Sequence, residues 1–505
     1  MISLLISDDL KFEQDIRELV SAFFPGESFI HEKDEASLLC VEADREHIGL
    51  RGSLGDSGRE LKLCGDRKRD KSILKKELYL MLSGMTGKQL PWGTLTGIRP
   101  VKLYENEYRA YGREAAKKQL KEDYLISDEK LRLLSRTFDM EREALSHIDY
   151  KQGFSLYIGI PFCPSTCLYC SFTSNPISRF EGRIDEYIEA LRNELRGIRA
   201  QELGAYEGKS VEASADRSTG SGQPDYHLYG RELQTIYIGG GTPTSLSALQ
   251  LDKLLSMVEK EMDLQGLREY TVEAGRPDSI DRDKLRVLKA HGIDRISINP
   301  QTMNDHTLEL IGRRHTAADV ERAYALAREE GFDNINMDLI MGLPEEGIKD
   351  VEHTLSCIRR FGPESLTVHA LAVKRAARLT TEGLAYAGLK RAGMEEAFEM
   401  IRMGAMCAEE LGMEPYYLYR QKNMAGNQEN VGYCIPGRAN LYNILMMEEK
   451  HTVVGIGAGS STKVVIKNAD PSLFSGNESR VERHENVKNI EIYLNSSKRP
   501  DGDLS

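Results

Sequence analysis

Tyr157-Ile-Gly-Ile-Pro-Phe-Cys163-Pro-Ser-Thr-Cys167-Leu-Tyr169-Cys170-Ser-Phe172 is the stretch on which the reading of this chain turns. It sets Cys163, Cys167 and Cys170 in a C-x3-C-x2-C pattern directly after the apolar run Phe154 to Ile160. Three thiols so close in sequence cannot all pair as disulfides, but one loop carrying them can wrap a single metal centre. Thiolates select soft metals, chiefly zinc or iron–sulfur clusters. A structural zinc site wants four protein ligands, and no fourth Cys or His follows at finger spacing. A 4Fe–4S cluster with three cysteine ligands and one open iron fits better.

Working outward, the 505 residues are enough for two or three domains. A formal net charge of −12 argues against a general nucleic-acid binder. No run of about 18 apolar residues occurs, so no membrane span is expected. The first residues, Met-Ile-Ser-Leu-Leu-Ile-Ser-Asp-Asp, lack the charged start and long apolar core of a secretion signal. Eight cysteines, three of them in one loop, suit a reduced compartment with a metal site rather than a disulfide framework. A cytoplasmic, monomeric protein is the expectation.

Residues 1–85 read as a small α+β domain, with strands at 37–43, 47–51 and 59–63 and helices at 15–24 and 70–82. A Gly- and Pro-dense segment with the only tryptophan, Trp92, opens a helical connector over 86–150. From 151 the pattern becomes strand, loop, helix, repeated. Strands are expected at 154–160, 234–239, 269–274, 294–298, 334–340 and 365–370, and helices at 181–200, 247–262, 281–291, 316–331, 349–361 and 391–411. This alternation predicts an α/β fold, a parallel sheet closing into a partial (β/α)6 barrel over 151–380, with chemistry at the carboxyl ends of its strands. The polar stretch 204–230 reads as a mobile insertion, and 381–505 as a C-terminal extension covering the substrate, ending in a tail with one short helix near 487–494.

Gly239-Gly240-Gly241-Thr242-Pro243 follows the second barrel strand, where glycines allow close approach and leave N–H groups to meet an anion. Glu273, Gln301, Arg313 and Asp338 recur near later strand ends and read as one convergent polar pocket.

Together, Y-I-x-I-P-F-C-x3-C-x-Y-C-x-F, G-G-G-T-P, S-I-N-P-Q and M-D-L-I-x-G-L-P resemble the radical S-adenosylmethionine (SAM) enzymes. Within these the chain is similar to the oxygen-independent coproporphyrinogen III oxidase family. Leu-Thr-Gly-Ile-Arg-Pro and Tyr-Arg-Gln-Lys-Asn-Met-Ala-Gly-Asn resemble its HemZ-type branch. The resemblance implies that Cys163, Cys167 and Cys170 hold a 4Fe–4S cluster whose open iron takes SAM. It places Gly240, Gly241 and Thr242 at the methionine end of SAM, and Tyr157 and Tyr169 beside cluster and cofactor. Glu273, Gln301, Arg313 and Asp338 match SAM contacts, and Ala370 a backbone contact near the adenine. The implied reaction turns two propionates of coproporphyrinogen III into vinyl groups, consuming two SAM molecules and an electron source such as reduced flavodoxin or ferredoxin.

A substrate with four propionates calls for cations, of which Arg binds carboxylates best. Arg420, in Tyr416-Tyr417-Leu418-Tyr419-Arg420-Gln421-Lys422, is the first candidate, with Lys422, Arg375, Arg314, Lys374 and Arg378 after it. The decarboxylating enzymes carry a fourth cysteine two positions after the third ligand; here that residue is Phe172. A related group of haem chaperones shares the phenylalanine, so haem transfer stands as a second reading. Another radical SAM reaction, such as methylation, stands as a third.

Overall fold

The computed structural model describes residues 1–34, 36–53, 55–96, 99–204, 226–371, 389, 392–420, 428–467 and 479–497. The amino-terminal unit contains β1 (Ile2–Ile6), α1 (Glu13–Phe23), β2 (Phe29–Ile30), β3 (Leu39–Ala43), β4 (His47–Gly52), β5 (Ser57–Glu60) and α2 (Arg67–Thr86). Its sheet runs β2-β1-β3-β4-β5 over a core of its own built on Ile2, Leu4, Ile16, Leu19, Val41, Leu74 and Leu78. The sequence reading had no strand at 2–6, yet β1 lies between β2 and β3 and is parallel to both.

Three helices follow: α3 (Pro100–Tyr111), α4 (Arg113–Tyr124) and α5 (Asp128–Leu145). They are not a free spacer. Trp92, Val101, Tyr104, Leu120, Leu134 and Phe138 share one apolar core with the barrel strands.

The barrel begins with β6 (Gly153–Ile160), the short pair β7 (Phe162–Cys163) and β8 (Asn175–Pro176), and α6 (Ile184–Glu202). It continues with β9 (Glu232–Gly240), α7 (Ala248–Glu261), β10 (Glu269–Glu273), α8 (Arg282–Ala290) and β11 (Arg295–Ser297). Then come α9 (Asp305–Leu310), α10 (Ala317–Glu329), β12 (Ile335–Met341), α11 (Ile348–Phe361) and β13 (Ser365–Ala370). The strands β6, β9, β10, β11, β12 and β13 are parallel neighbours in chain order, as the alternating pattern predicts. Ser247 and Thr316 cap two of the outer helices with full capping boxes, and Asp281 caps a third.

The C-terminal part extends this sheet instead of only covering it. The helix Met394–Glu410 is followed by β14 (Glu414–Arg420) and β15 (Glu429–Cys434), which continue the sheet antiparallel from β13. On the other edge β16 (Thr452–Ile456) pairs parallel with β6, and β17 (Ser461–Lys467) and β18 (Ser479–Glu485) follow antiparallel. The result is an open, eleven-stranded sheet with the six-stranded partial barrel at its centre. The stretch beyond about 465, read as polar tail, therefore holds the end of β17 and all of β18 before its short helix, Ile490–Ser497. The expected insertion is also narrower than 204–230. Residues 205–225 lie outside the described residues, whereas Tyr226 and Leu228 are buried in the barrel core and the Tyr226 N–H donates to Gln201 Oε1 at 2.7 Å. Two apolar side chains at alternate positions give that end a reason to pack.

Candidate active site

The cysteine loop springs from the carboxyl end of β6, where Phe154, Leu156, Ile158 and Ile160 are all fully buried and hold the strand rigidly. Cys163 and Cys167 are buried and Cys170 half-buried. Thr242 lies beside the first thiol, Oγ1 to Sγ 3.5 Å, and Ser174 Oγ is 3.8 Å from Cys170 Sγ. Burial pushes the Cys163 thiol up to about 11, so a ligating thiolate there needs a metal to hold it. Among the described residues no three His, Cys, Asp or Glu side chains converge on a single ion. A four-iron cluster does not require that, since each thiolate binds a different iron.

The glycine segment does something other than the sequence suggested. The Gly241 N–H donates to Ile160 O at 2.8 Å and the Thr242 N–H to Phe162 O at 2.7 Å, while the Gly240 N–H hydrogen-bonds Glu273. These donors are spent on the protein, not left for an anion. What the glycines supply is proximity: a Cβ on Gly241 would lie 2.5 Å from Phe162 O and 3.0 Å from Cys163 Sγ. Gly240, with φ +110°, would set its Cβ 3.3 Å from Tyr157 Oη. The segment is the seat on which the cysteine loop rests.

The other expected residues gather around this seat. Glu273, at the end of β10, accepts a hydrogen bond from Tyr237 Oη at 2.5 Å; burial, with the charge of Asp338 adding to it, pushes the carboxyl up to about 7. Burial works against the charge of Asp338 too, but His369 and Asn336 hold that carboxyl below the usual range. Asn336 Nδ2 donates to Asp338 Oδ1 at 2.7 Å, and His369 Nε2 stands 3.8 Å from Asp338 Oδ2. Gln301 bridges to Leu339 of β12, its N–H donating to Asp338 O at 3.0 Å. It sits at φ +67°, a strained setting for a non-glycine residue and one that recurs at functional sites. Arg313 is buried, donates to Asn299 O at 2.6 Å and hydrogen-bonds Tyr169. Tyr157 stacks 6.2 Å from both Tyr237 and Tyr442, which stack 4.6 Å from each other, a triangular cluster of rings. The Ala370 N–H is taken by Asn430 Oδ1 at 3.0 Å.

The expected propionate cations are not assembled in this way. Arg420 is 2% exposed, stacks 5.1 Å over Trp92 and donates to Leu95 O at 2.6 Å. It ties the connector to β14 instead of standing open to a substrate, and its burial pulls the guanidinium down to about 10. The aromatic-cation pattern read as a binding face is thus a packed edge strand. Lys422 and Arg375, with Lys374 and Arg378, lie outside the described residues.

Several groups at the site go beyond the expected contacts. The Oδ1 of Asn299, Oε1 of Gln301 and Oγ of Ser297 are buried with no hydrogen-bond partner. Buried polar atoms are normally paired, so their clustering after β11 fits a polar ligand such as SAM. His369 stands between Asp338 and Tyr419, whose hydroxyl is 3.4 Å from His369 Nδ1. Arg276, 3% exposed, reaches Ser165 O and Oγ at 3.1 Å each and Cys167 Sγ at 3.6 Å while paired with Asp278 at 2.7 Å. Only its place in Glu273-Ala-Gly-Arg276, three residues beyond a strand end, hinted at a role. Hydrogen bonds to cluster sulfurs set potential. Arg276→Ala is therefore expected to lower the cluster's reduction potential and its iron retention, measured by redox titration and iron analysis; an unchanged potential would limit Arg276 to a loop brace.

Comparison with known proteins gives the family. Residues 226–358 match the Radical SAM superfamily profile. The chain is 40% identical over 440 residues to the oxygen-independent coproporphyrinogen-III oxidase-like protein HemZ of Bacillus subtilis, covering 85% of this chain and 82% of HemZ. It is 38% identical over 221 residues to the heme chaperone HemW of the same organism, covering 44% of this chain and 51% of HemW. Among solved structures, coproporphyrinogen III oxidase (HemN) from Escherichia coli aligns over 68% of this chain and 74% of its own, with TM-score 0.47 and 19% identity. In the described residues no helix is long and apolar enough to cross a membrane. With three thiols seated on a glycine turn at the mouth of a partial barrel, and with HemZ matched over most of its length, the chain belongs to the radical SAM family of oxygen-independent coproporphyrinogen III oxidase-like proteins, with a 4Fe–4S cluster and SAM as its cofactors.

Proposed function

We propose that this protein decarboxylates two propionates of coproporphyrinogen III to vinyl groups without oxygen, giving protoporphyrinogen IX and, for each vinyl group, one carbon dioxide and one electron that passes to a one-electron acceptor. The observation that carries the reading is the cysteine loop seated on Gly241 beside unpaired buried acceptors, a polar pocket at a barrel mouth. Cys163, Cys167 and Cys170 would bind three irons and leave the fourth for the amino and carboxylate groups of SAM. When bound, cluster and SAM supply a 5′-deoxyadenosyl radical able to take a hydrogen atom from a propionate carbon. Glu273, Gln301, Arg313 and Asp338 would orient SAM, and Tyr157, Tyr237 and Tyr442 would keep water from beneath it. Arg375 and Lys422 follow shortly after the ends of β13 and β14 in sequence and remain the proposed propionate contacts. A reduced flavodoxin- or ferredoxin-type protein would supply the electron.

The raised Glu273 carboxyl gives the reading a pH dependence. Burial favours its neutral form, which stabilises the fold below the ordinary carboxylate range; this contribution fades as pH climbs through about 7. SAM binding would have the opposite slope, because the N–H groups of the iron-bound amino group and the sulfonium charge of SAM favour the ionised carboxylate, in a surround of Asp338, Tyr237 and Tyr157. SAM affinity measured by calorimetry is expected to rise between pH 6 and 8 by roughly tenfold, about 1.4 kcal/mol for one pKa unit. Glu273→Gln should flatten that slope; a flat profile in the unaltered protein would remove Glu273 from the SAM site.

Phe172, 72% exposed where the decarboxylating enzymes carry a cysteine, favours haem transfer as the second reading. Anaerobic incubation with coproporphyrinogen III, SAM and a reductant separates the two. Protoporphyrinogen IX and carbon dioxide are the expected products, whereas tight haem binding without turnover would establish the chaperone role instead.

A further inference from the structure

We infer that a groove beside the cysteine loop is the docking site of a small acidic one-electron carrier protein. The inference rests on the cluster being held by Cys163, Cys167 and Cys170. The groove has a volume of about 820 Å³ and three walls: the loop at Pro164–Thr166, the segment Ser174–Arg179, and the segment Glu309–Arg314. It lies against the cluster ligands. Ser165 and Thr166 separate Cys163 from Cys167 in sequence, Ser174 Oγ is 3.8 Å from the half-buried Cys170 thiol, and a Cβ on Gly312 would lie 3.9 Å from the Cys167 Cα. Leu168 N donates to Ile311 O at 3.0 Å and Ser165 Oγ to Gly312 O at 3.1 Å, so the third wall is fastened to the loop. A carrier seated here would be within a residue or two of the irons, the short separation that electron transfer requires.

Charge selects the kind of partner. The chain carries a net −12, so an acidic protein is repelled by most of its surface. Arg179 and Arg314, both exposed and both lining the groove, have no carboxylate at ion-pair distance among the described residues. Neighbouring arginines behave otherwise: Arg183, Arg276, Arg282, Arg322 and Arg328 are each paired with Asp or Glu. Glu309 is the one acidic side chain among the described lining residues. Two unpaired cations around one groove make a local positive site on an acidic molecule, which steers an anionic partner to that place and holds it transiently. Phe172, two residues beyond Cys170 and two before the lining residue Ser174, is 72% exposed and offers a carrier an apolar contact. Contacts of this size suit a weak electron-transfer encounter, below about 1,200 Å² of buried surface. In the step itself the carrier loses one electron and the cluster gains it; no bond or proton changes place.

The test uses the reconstituted holoprotein under anaerobic conditions, with cluster reduction followed by stopped-flow absorbance. The reductants are flavodoxin hydroquinone, an acidic protein, and photoreduced deazaflavin, a small molecule that needs no docking. In the doubly charge-reversed Arg179→Glu, Arg314→Glu variant the flavodoxin-driven rate is expected to fall by roughly tenfold or more at low salt. Its salt dependence should vanish, while the deazaflavin rate stays unchanged. Phe172→Ser should slow the flavodoxin reaction at every salt concentration. A cluster that deazaflavin reduces normally, with a flavodoxin rate indifferent to charge reversal, would overturn the docking site alone. Loss of coproporphyrinogen III binding in the double variant, with the flavodoxin rate unaltered, would assign the groove to the tetrapyrrole and likewise overturn it. A preparation that binds no iron and sulfide at all would overturn the cofactor assignment and the inference together.

Discussion

Gly241→Ala is expected to yield a folded protein that fails to retain its cluster. The new methyl group would lie 2.5 Å from Phe162 O, 2.9 Å from Phe162 N and 3.0 Å from Cys163 Sγ. The first two neighbours are backbone, so no rotamer change relieves them. Gly241 cannot retreat either, because its N–H is bonded to Ile160 O at 2.8 Å and the next N–H to Phe162 O at 2.7 Å. The strain must move β7, and β7 carries Cys163. Iron and acid-labile sulfide after anaerobic reconstitution should fall from about four irons per chain to less than one, with far-ultraviolet circular dichroism unchanged. Gly182→Ala, whose Cβ meets nothing within 4 Å, is the matched control and should keep full iron content. Retention of the cluster in Gly241→Ala would mean that the loop is not seated on this turn.

Glu429→Ala is expected to cost about 3–5 kcal/mol of stability, the usual penalty for breaking one side of a buried ion pair. Glu429 is 2% exposed, accepts from Trp92 Nε1 at 2.7 Å and from Lys130 Nζ at 2.6 Å, and lies opposite Arg420 across the β14–β15 pair. Removing it leaves the Lys130 ammonium and the Trp92 N–H without these bonds in an apolar setting. The connector around Trp92 would then loosen from the strand end that also carries Asn430, the partner of the Ala370 N–H. Thermal unfolding should show the loss. The paired replacement Lys130→Met with Glu429→Leu should recover a large part of it, since it removes both charges at once. If the single and double variants were equally destabilised, the charge pair would not be the source.

The barrel was legible because its signals are local. Each of β6, β9, β10, β11, β12 and β13 is a short apolar run between amphipathic helices, and every one lies within two residues of its expected bounds. The cysteine spacing and the triple glycine carried the site for the same reason. What escaped was set by distant pairing. β1 is an apolar stretch whose strand character depends on β3, with no alternation of its own. β18, Ser-Arg-Val-Glu-Arg-His-Glu, is an edge strand whose charges discourage further pairing and also disguise it as a tail. Arg420 misled because the alternation of tyrosine and cation suits both an open face and a packed strand, and only the connector, more than 300 residues away in sequence, decides between them. Arg276 and His369 are ordinary residues until the loops around them are folded, when they meet Cys167 and Asp338 respectively.

The proposed reaction requires that the radical generated in this pocket reach a propionate. Coproporphyrinogen III deuterated on the propionate carbon next to the ring, incubated anaerobically with the reconstituted protein, SAM and reductant, tests that directly by mass spectrometry of the released 5′-deoxyadenosine. The expected result is deoxyadenosine carrying one deuterium, formed together with protoporphyrinogen IX. Unlabelled deoxyadenosine, or none, from a preparation that holds its cluster would contradict it.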